Sequence, residues 1–309
     1  MWFAGFGPQI RIKMKNLKFF VLSIAALSLL FTGCSKEQEQ TPTGSAKVSV
    51  HVSDFTISMS EIQTKDGTNP ASYDGVGALT LAFYDANGNE VYKTTQYKAD
   101  GSTYTVFGDF ECDLPVGNYT MVALGYYYYD GDVFVLTSPT EAAFTSERPR
   151  ETFCKVQSVT VTGTDALDLS VMLNRINAKL EIISTDNRPA GIARIRTTFA
   201  KGGKAFNPTT GLATSDAGFW QTNSPSAAVG TPIDIGSMPF LFTDEETMNV
   251  TIEVLDAGDN VLTTKVVNNV PFKRNRLTTL TGAVFTADPS GVGFQLNTAW
   301  DENGNNVNF

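Results

Sequence analysis

Apolar and polar residues alternate with a period of two along most of the chain beyond about residue 45. KVSVHVSDF sets Val48, Val50 and Val52 against Ser49, His51 and Ser53, the pattern of a half-buried strand. ALTLAFYDANGNEVYKTTQY predicts two strands about an Asn87-Gly88 turn, because Asn-Gly supplies the positive φ that a tight hairpin needs. YTVFGDFECDLPVGNYTMVALGYYYY repeats the plan, turning at Pro115 and Gly117. VFVLTS, FCKVQSVTVTG and ALDLSVMLN follow. From about Asn174, NAKLEIIS places Ala178, Leu180 and Ile182 inward, and ARIRTTFA places Arg194 and Arg196 outward. TPIDIGSMPFLFT and MNVTIEVLDAGDNVLTTKVVNNV return to the same period. VGFQLNTAW, near the end, aligns Val292, Phe294 and Leu296 on one face. The stretch from Lys201 to Thr231 is weakly patterned and rich in Gly, Pro, Ser and Thr, and it reads as a long loop.

Long helical periods are absent, and Gly, Thr, Val and aromatic residues abound, so the expected class is all-β. Alternating strands need two facing sheets to share a core. The length fits two such units, an N-terminal β-sandwich over 47–173 and a C-terminal one over 174–309. LTLAFYDANGNEVYKTT aligns by eye with VTIEVLDAGDNVLTTKV (Val250 to Val266), which supports two related sandwiches, although hairpin grammar alone produces the same likeness.

Phe19 to Phe31 form an apolar run too short for a bilayer core, which needs roughly 20 residues. Lys15 and Lys18 precede it, as in a secretory signal. Thr32, Gly33 and Cys34 then resemble the lipobox of bacterial lipoproteins, with Phe31 where an aliphatic residue is usual. The resemblance implies cleavage before Cys34 and acylation of that cysteine. An ordinary signal ending in a cysteine is the alternative. Residues 1–33 are thus the expected signal peptide, with Met14 as its start, and residues 34–46 the lipidated cysteine and a flexible polar tether. Removing residues 1–33 takes away Arg11, Lys13, Lys15 and Lys18 and no acid, which moves the net charge from −9 to −13. So acidic a chain is not a nucleic-acid binder.

Candidate chemistry is sparse. His51 is the only histidine and sits on the polar face of its strand, and no GxSxG elbow or CxxC pair is present. No catalytic residue, metal or cofactor is expected. The turns beginning at Asp85, Asp256 and Asp301 carry acidic, Asn and Gly residues; the first and last imitate the start of a calcium loop but lack its closing Glu, and turn geometry alone accounts for them. Cys112 and Cys154 are either one disulfide or two buried thiols. Tyr126, Tyr127, Tyr128 and Tyr129 on a strand would send two rings inward and two outward, the outward pair open to a sugar or a partner. Val292, Phe294 and Leu296 are a candidate donor strand, which completes its own sheet or a neighbour's.

Several motifs occur in order: DLPVGNYTMVALGYY, then LNRINAKLEI, then NNVPFKRNRLTTLTGAVFT. Following a lipobox in an acidic, two-part, all-β chain, they resemble the fimbrillin-like lipoproteins of Bacteroidales, from about Lys47 to Phe309. The resemblance implies two transthyretin-like Greek-key sandwiches, a structural and non-enzymatic role as anchor or accessory subunit of a fimbria, and partner subunits joined by strand addition. It also implies a lipid-anchored, surface-exposed place at the outer membrane or in a fimbrium. Shaft subunits of that class are cut after an early arginine. No arginine lies between Cys34 and Arg148 here, which favours an uncut, lipid-retained subunit, with Lys36 and Lys47 leaving lysine cleavage open. A glycan- or host-ligand-binding lipoprotein that does not polymerise is the alternative.

Overall fold

The computed structural model describes residues 44–56, 71–129, 132, 134–146, 148–286 and 295–298. Among these, nineteen strands and no helix occur. They are β1 (Ser45–Thr56), β2 (Ala78–Tyr84), β3 (Glu90–Tyr97), β4 (Asp109–Pro115), β5 (Gly117–Tyr126), β6 (Phe134–Ser138), β7 (Glu141–Phe144), β8 (Thr152–Val161) and β9 (Leu167–Arg175). There follow β10 (Lys179–Ser184), β11 (Arg194–Phe199), β12 (Ala205–Asn207), β13 (Leu212–Ala213), β14 (Phe219–Asn223), β15 (Asp234–Ser237), β16 (Glu245–Leu255), β17 (Val261–Lys273), β18 (Leu277–Gly282) and β19 (Gln295–Thr298).

One order of connections is drawn twice. β1 pairs antiparallel with β4 and parallel with β9, while β2 joins β3 and β5, and β5 joins β8. In the second half β10 pairs antiparallel with β15 and parallel with β18, while β11 joins β14 and β16, and β16 joins β17. The two hairpins aligned by eye are therefore not counterparts. β2–β3 are the second and third strands of the first round, and β16–β17 are the fifth and sixth of the second. What they share is turn chemistry. Asp85 Oδ1 accepts from the Asn87 and Asn89 N–H at 2.8 and 2.9 Å, and Asp256 Oδ1 accepts from the Gly258 and Asn260 N–H at 2.8 and 2.9 Å. The left-handed position is Gly88 in one and Asp259 in the other, at φ of 81° and 64°. Each aspartate is consumed by its own turn. Residues 301–305 lie outside the described residues.

The rounds differ in closure. In the first, Phe153 and Cys154 of β8 pair with Arg175 and Asn174 of β9, giving one seven-stranded sheet in the order β3-β2-β5-β8-β9-β1-β4. It curls round a core of Val48, Val50, Leu79, Leu81, Phe83, Leu114, Met121, Phe153 and Leu173. In the second, the sheets β14-β11-β16-β17 and β15-β10-β18-β19 remain separate and face each other across Leu180, Ile195, Phe199, Val250, Ile252, Phe272 and Leu280, as a β-sandwich requires.

The weakly patterned stretch after Lys201 is not a plain loop. It contributes β12 and β13, which join β6 and β7 in a small sheet through Ala142 opposite Phe206 and Ala143 opposite Ala205, and it also contributes β14. Strands of two to five residues are too short to display a period. This small sheet lays Phe134, Leu136, Phe144 and Phe206, with Phe240, on the outer face of β2, β5 and β8. An insertion from the second half thereby covers the first.

The alternative left open for the cysteines resolves to two free, buried thiols. Cys112 belongs to the curled core and Cys154 to the covered outer face, so no bridge joins them. Burial pushes the thiols up to about 11 and about 12, respectively.

Candidate functional site

The tyrosine run closes β5. Tyr126 is buried and stacks on Phe134 with centroids 4.4 Å apart, and Tyr128 packs on Tyr97 at 4.9 Å. Tyr127 and Tyr129 point outward, 42% and 57% exposed. The alternation continues past the end of β5 at Tyr126, and Tyr129 makes an isolated bridge to Asp132. Arg150 lies between the outward rings, its guanidinium 5.9 Å from the Tyr127 centroid and 5.0 Å from that of Tyr129. It is held from behind: Arg150 Nε donates to Asp132 Oδ2 at 2.6 Å, and Asp132 also accepts from the Ser146 N–H at 2.9 Å and hydroxyl at 2.7 Å. Burial alone would raise the Asp132 carboxyl, but the Ser146 and Arg150 hydrogen bonds outweigh it and keep it below its ordinary value. Arg148 donates to Asn223 on β14. The result is a pair of exposed tyrosine rings with the Arg150 guanidinium held between them.

Two of the motifs that carried the fimbrillin resemblance meet in space. Arg175 and Asn177 come from LNRINAKLEI, and Asn275 from KRNR. Arg175 is buried, forms an ion pair with Glu151, and donates to the Tyr73 hydroxyl at 3.0 Å and to Asn275 Oδ1 at 3.3 Å. The Tyr73 hydroxyl donates to Glu151 at 2.7 Å, and burial pushes that phenol up to about 12. Asn177, wholly buried, accepts from the Thr152 N–H at 2.7 Å and donates to Met238 O at 2.9 Å, while its carbonyl accepts from the Asn275 N–H at 2.7 Å. Apart from Arg175 Nε, which is buried without a hydrogen-bond partner, these buried polar groups are paired with one another and fix how the segments meet. The third motif also has a structural reason: Tyr119 donates to Pro115 O at 2.7 Å, and a Cβ on Gly117 would stand 3.2 Å from that hydroxyl.

His51 is half exposed and set between two carboxylates, with Nδ1 2.9 Å from Asp109 Oδ1 and Nε2 3.1 Å from Asp168 Oδ1. The hydrogen bond to Asp109 is the main reason its pKa is raised. Among the described residues, no group of three His, Cys, Asp or Glu could hold a metal ion.

Leu296 lies in β19, opposite Leu280 of β18. Val292, Phe294 and Cys34 lie outside the described residues. β19 takes the edge of β18 that corresponds to the edge of β9 bound by β8 in the first round. Sequence reasoning missed Arg150, Asp132 and the Arg175 network. The motifs LNRINAKLEI and KRNR marked Arg175 and Asn275 without saying that they meet, and Arg150 and Asp132 showed only as isolated charges between apolar stretches.

The fold is that of an all-β protein of repeated sandwich connectivity. The chain belongs to the family of unknown function DUF6562, whose model matches residues 64–308. No curated protein matches the sequence. Among solved structures, a Bacteroides thetaiotaomicron protein of DUF1812, provisionally described as polysaccharide binding, is similar with TM-score 0.50 and 12% identity over 85% of this chain and 98% of its own. The fimbrial anchor protein Mfa2 from Porphyromonas gingivalis is similar with TM-score 0.48 and 13% identity over 86% of this chain and 99% of its own. A fimbrial assembly protein from Parabacteroides distasonis gives TM-score 0.42 and 12% identity over 86% and 99%, respectively. At such identities the likeness is one of fold.

Proposed function

We propose that this chain is a surface lipoprotein of the fimbrillin-like class, a structural component of a fimbria that acts as anchor or accessory subunit in assembly and adhesion. In this reading Cys34 carries the lipid that holds the chain at the outer membrane, residues 35–46 are the tether, and the units 47–173 and 174–309 engage other fimbrial subunits. The observation that carries it is the place of β19. The four-residue β19 pairs with β18 at four positions, on the edge that corresponds to the one where β8 meets β9 through Phe153 and Cys154 alone in the first round. A short edge strand can be exchanged between chains, because main-chain hydrogen bonds supply affinity whichever chain donates them.

The test is extraction from the native membrane followed by intact mass and identification of co-purifying subunits. The expected result is a chain running from an acylated Cys34 to Phe309, bound to co-encoded subunits and released from them by Leu296→Asp. A lipid-free chain that never associates with such subunits overturns the proposal. A second reading, a glycan- or host-ligand-binding lipoprotein that does not polymerise, is favoured by the Tyr127, Tyr129 and Arg150 ridge, and Tyr127→Ala with Tyr129→Ala would abolish such binding.

A further inference from the structure

The seven-stranded sheet ends on β3 and β4, and two side chains of β3, Gln96 and Tyr92, reach across to the β4 edge. Gln96 Nε2 donates to Asp109 O at 2.6 Å, and Gln96 Oε1 accepts from the Gly108 N–H at 2.8 Å. Beside this bridge lies a cleft of about 530 Å³, walled by Tyr92, Thr94, Gln96, Tyr104, Thr105 and Glu111, with His51 and Asp109 at its margin. It is separate from the tyrosine ridge and from β19.

We infer that this cleft binds a short neutral saccharide. Its volume falls within the range of small-ligand sites. Its wall carries threonine hydroxyls, which both donate and accept, and the Glu111 carboxylate, groups that pair with sugar hydroxyls, while the Gln96 amide is already taken by Asp109 O and the Gly108 N–H. Tyr92 and Tyr104, half-buried and packed against the core beside Phe83 and Phe107, leave part of each ring in the lining for the apolar side of a sugar. The lining holds the carboxylates of Asp109 and Glu111, and the cations beside them, His51 on Asp109 and Lys47 on Glu111, are already paired, so among the described residues no free cation meets a phosphate, sulfate or uronate ligand there. An added peptide strand is also disfavoured. It would need the outward carbonyls of β4, but Asp109 O already accepts from Gln96, and Glu111 O accepts from the Tyr92 hydroxyl at 3.4 Å. This inference is independent of the assembly reading and holds equally for a chain that does not polymerise.

The experiment is a glycan array of neutral, sulfated and uronate-bearing oligosaccharides, probed with the purified chain, followed by calorimetry on the neutral hits. Two variants carry the test. Thr94→Val with Thr105→Val removes two hydroxyls at constant shape, and Thr105→Trp fills the cleft from an exposed position. Both should melt with the parent chain. The expected result is binding of a neutral saccharide that the first variant weakens about tenfold and the second abolishes, with no change on Tyr127→Ala and Tyr129→Ala. No neutral ligand on the array, preference for anionic glycans, or binding that ignores both cleft variants overturns the inference. Failure here leaves the co-purification result untouched, and failure of subunit association leaves this one untouched.

Discussion

The outer face of β2 and β5 in the first half and the outer face of β11 and β16 in the second are equivalent by connectivity and opposite in chemistry. On the first, Ala82 lies opposite Val122, Thr80 opposite Leu124 and Ala78 opposite Tyr126. On the second, Arg196 lies opposite Glu253 and Thr198 opposite Thr251, with Trp220 beside Thr198 on β14. β2 is buried along its whole length, because its other face lines the curled core, whereas β11 alternates. The cause is the small sheet of β6, β7, β12 and β13, which lies on one face and not on the other. One strand order thus serves as an inner layer in one half and as an open surface in the other, and the difference resides in insertions rather than in the repeated strands.

The sharpest way to break this comparison is to strip the cover. Phe206 of β12 is wholly buried, with its centroid 4.7 Å from that of Phe240 and 6.1 Å from that of Phe134. Phe206→Ala should lower unfolding stability by about 3–5 kcal/mol in a denaturant titration. Trp220→Ala, which removes a larger ring from the open face at 54% exposure, should cost at most about 1 kcal/mol. Equal losses would mean that the two faces are not energetically distinct.

A smaller contrast sets two arginine–carboxylate pairs against each other. Arg175 and Glu151 are buried at the junction, and Arg175→Ala strands a buried carboxylate at a cost of about 3 kcal/mol. Arg196 Nε donates to Glu253 at 2.6 Å on the open face, where Arg196→Ala should cost about 0.5 kcal/mol and should fade further in high salt.

The sequence showed what is local. Alternation and turn residues were enough for β2–β3, whereas which tyrosines of the run face inward was not legible, because only Tyr126 of the four lies in a strand. Pairing partners are not local. Nothing in KVSVHVSDF says that β1 lies parallel to β9, nor in NAKLEIIS that β10 lies parallel to β18, and a hairpin alignment pointed to repetition through strands that are not equivalent. The cover was hidden for another reason. β12 and β13 contribute little beyond Phe206 and Ala213 to its apolar surface, and single apolar residues among Gly, Thr and Asn display no period. The cleft and the His51 cluster gather residues from β1, β3, β4, β9 and the β3–β4 connection, a convergence that only the closed sheet creates.

The smallest effect separates the halves by proton linkage. Carboxylates held below their ordinary values occur in both. Asp85 and Asp256 are held so chiefly by the hydrogen bonds of Asn89 and Asn260. In Asp132 and Asp186 burial works the other way and is outweighed, for Asp186 by the Val284, Phe285 and Thr286 N–H groups at 2.8 to 2.9 Å. All four stabilise the fold above their ordinary range and lose that effect as pH falls through their lowered values, so acid titration cannot tell one half from the other. His51 can, because it is the sole histidine and lies in the first half. Asp109 on β4 and Asp168 on β9 face its two nitrogens, Glu111 lies beyond, and Lys47 pairs with Glu111 at 2.7 Å. Its pKa is raised above 6.5, so its contribution is complete below that pH and is lost as pH rises through the folded value. Half exposure limits the effect to about 0.5 kcal/mol or less. The ring carbon proton of His51 should titrate alone in an NMR spectrum, with a midpoint above 6.5. His51→Gln should flatten the stability profile between that pH and the midpoint, and Asp168→Asn should lower the midpoint. A midpoint at or below the ordinary value would mean that the two carboxylates do not hold the imidazolium, and that β1 is joined to β4 and β9 by its backbone ladders alone.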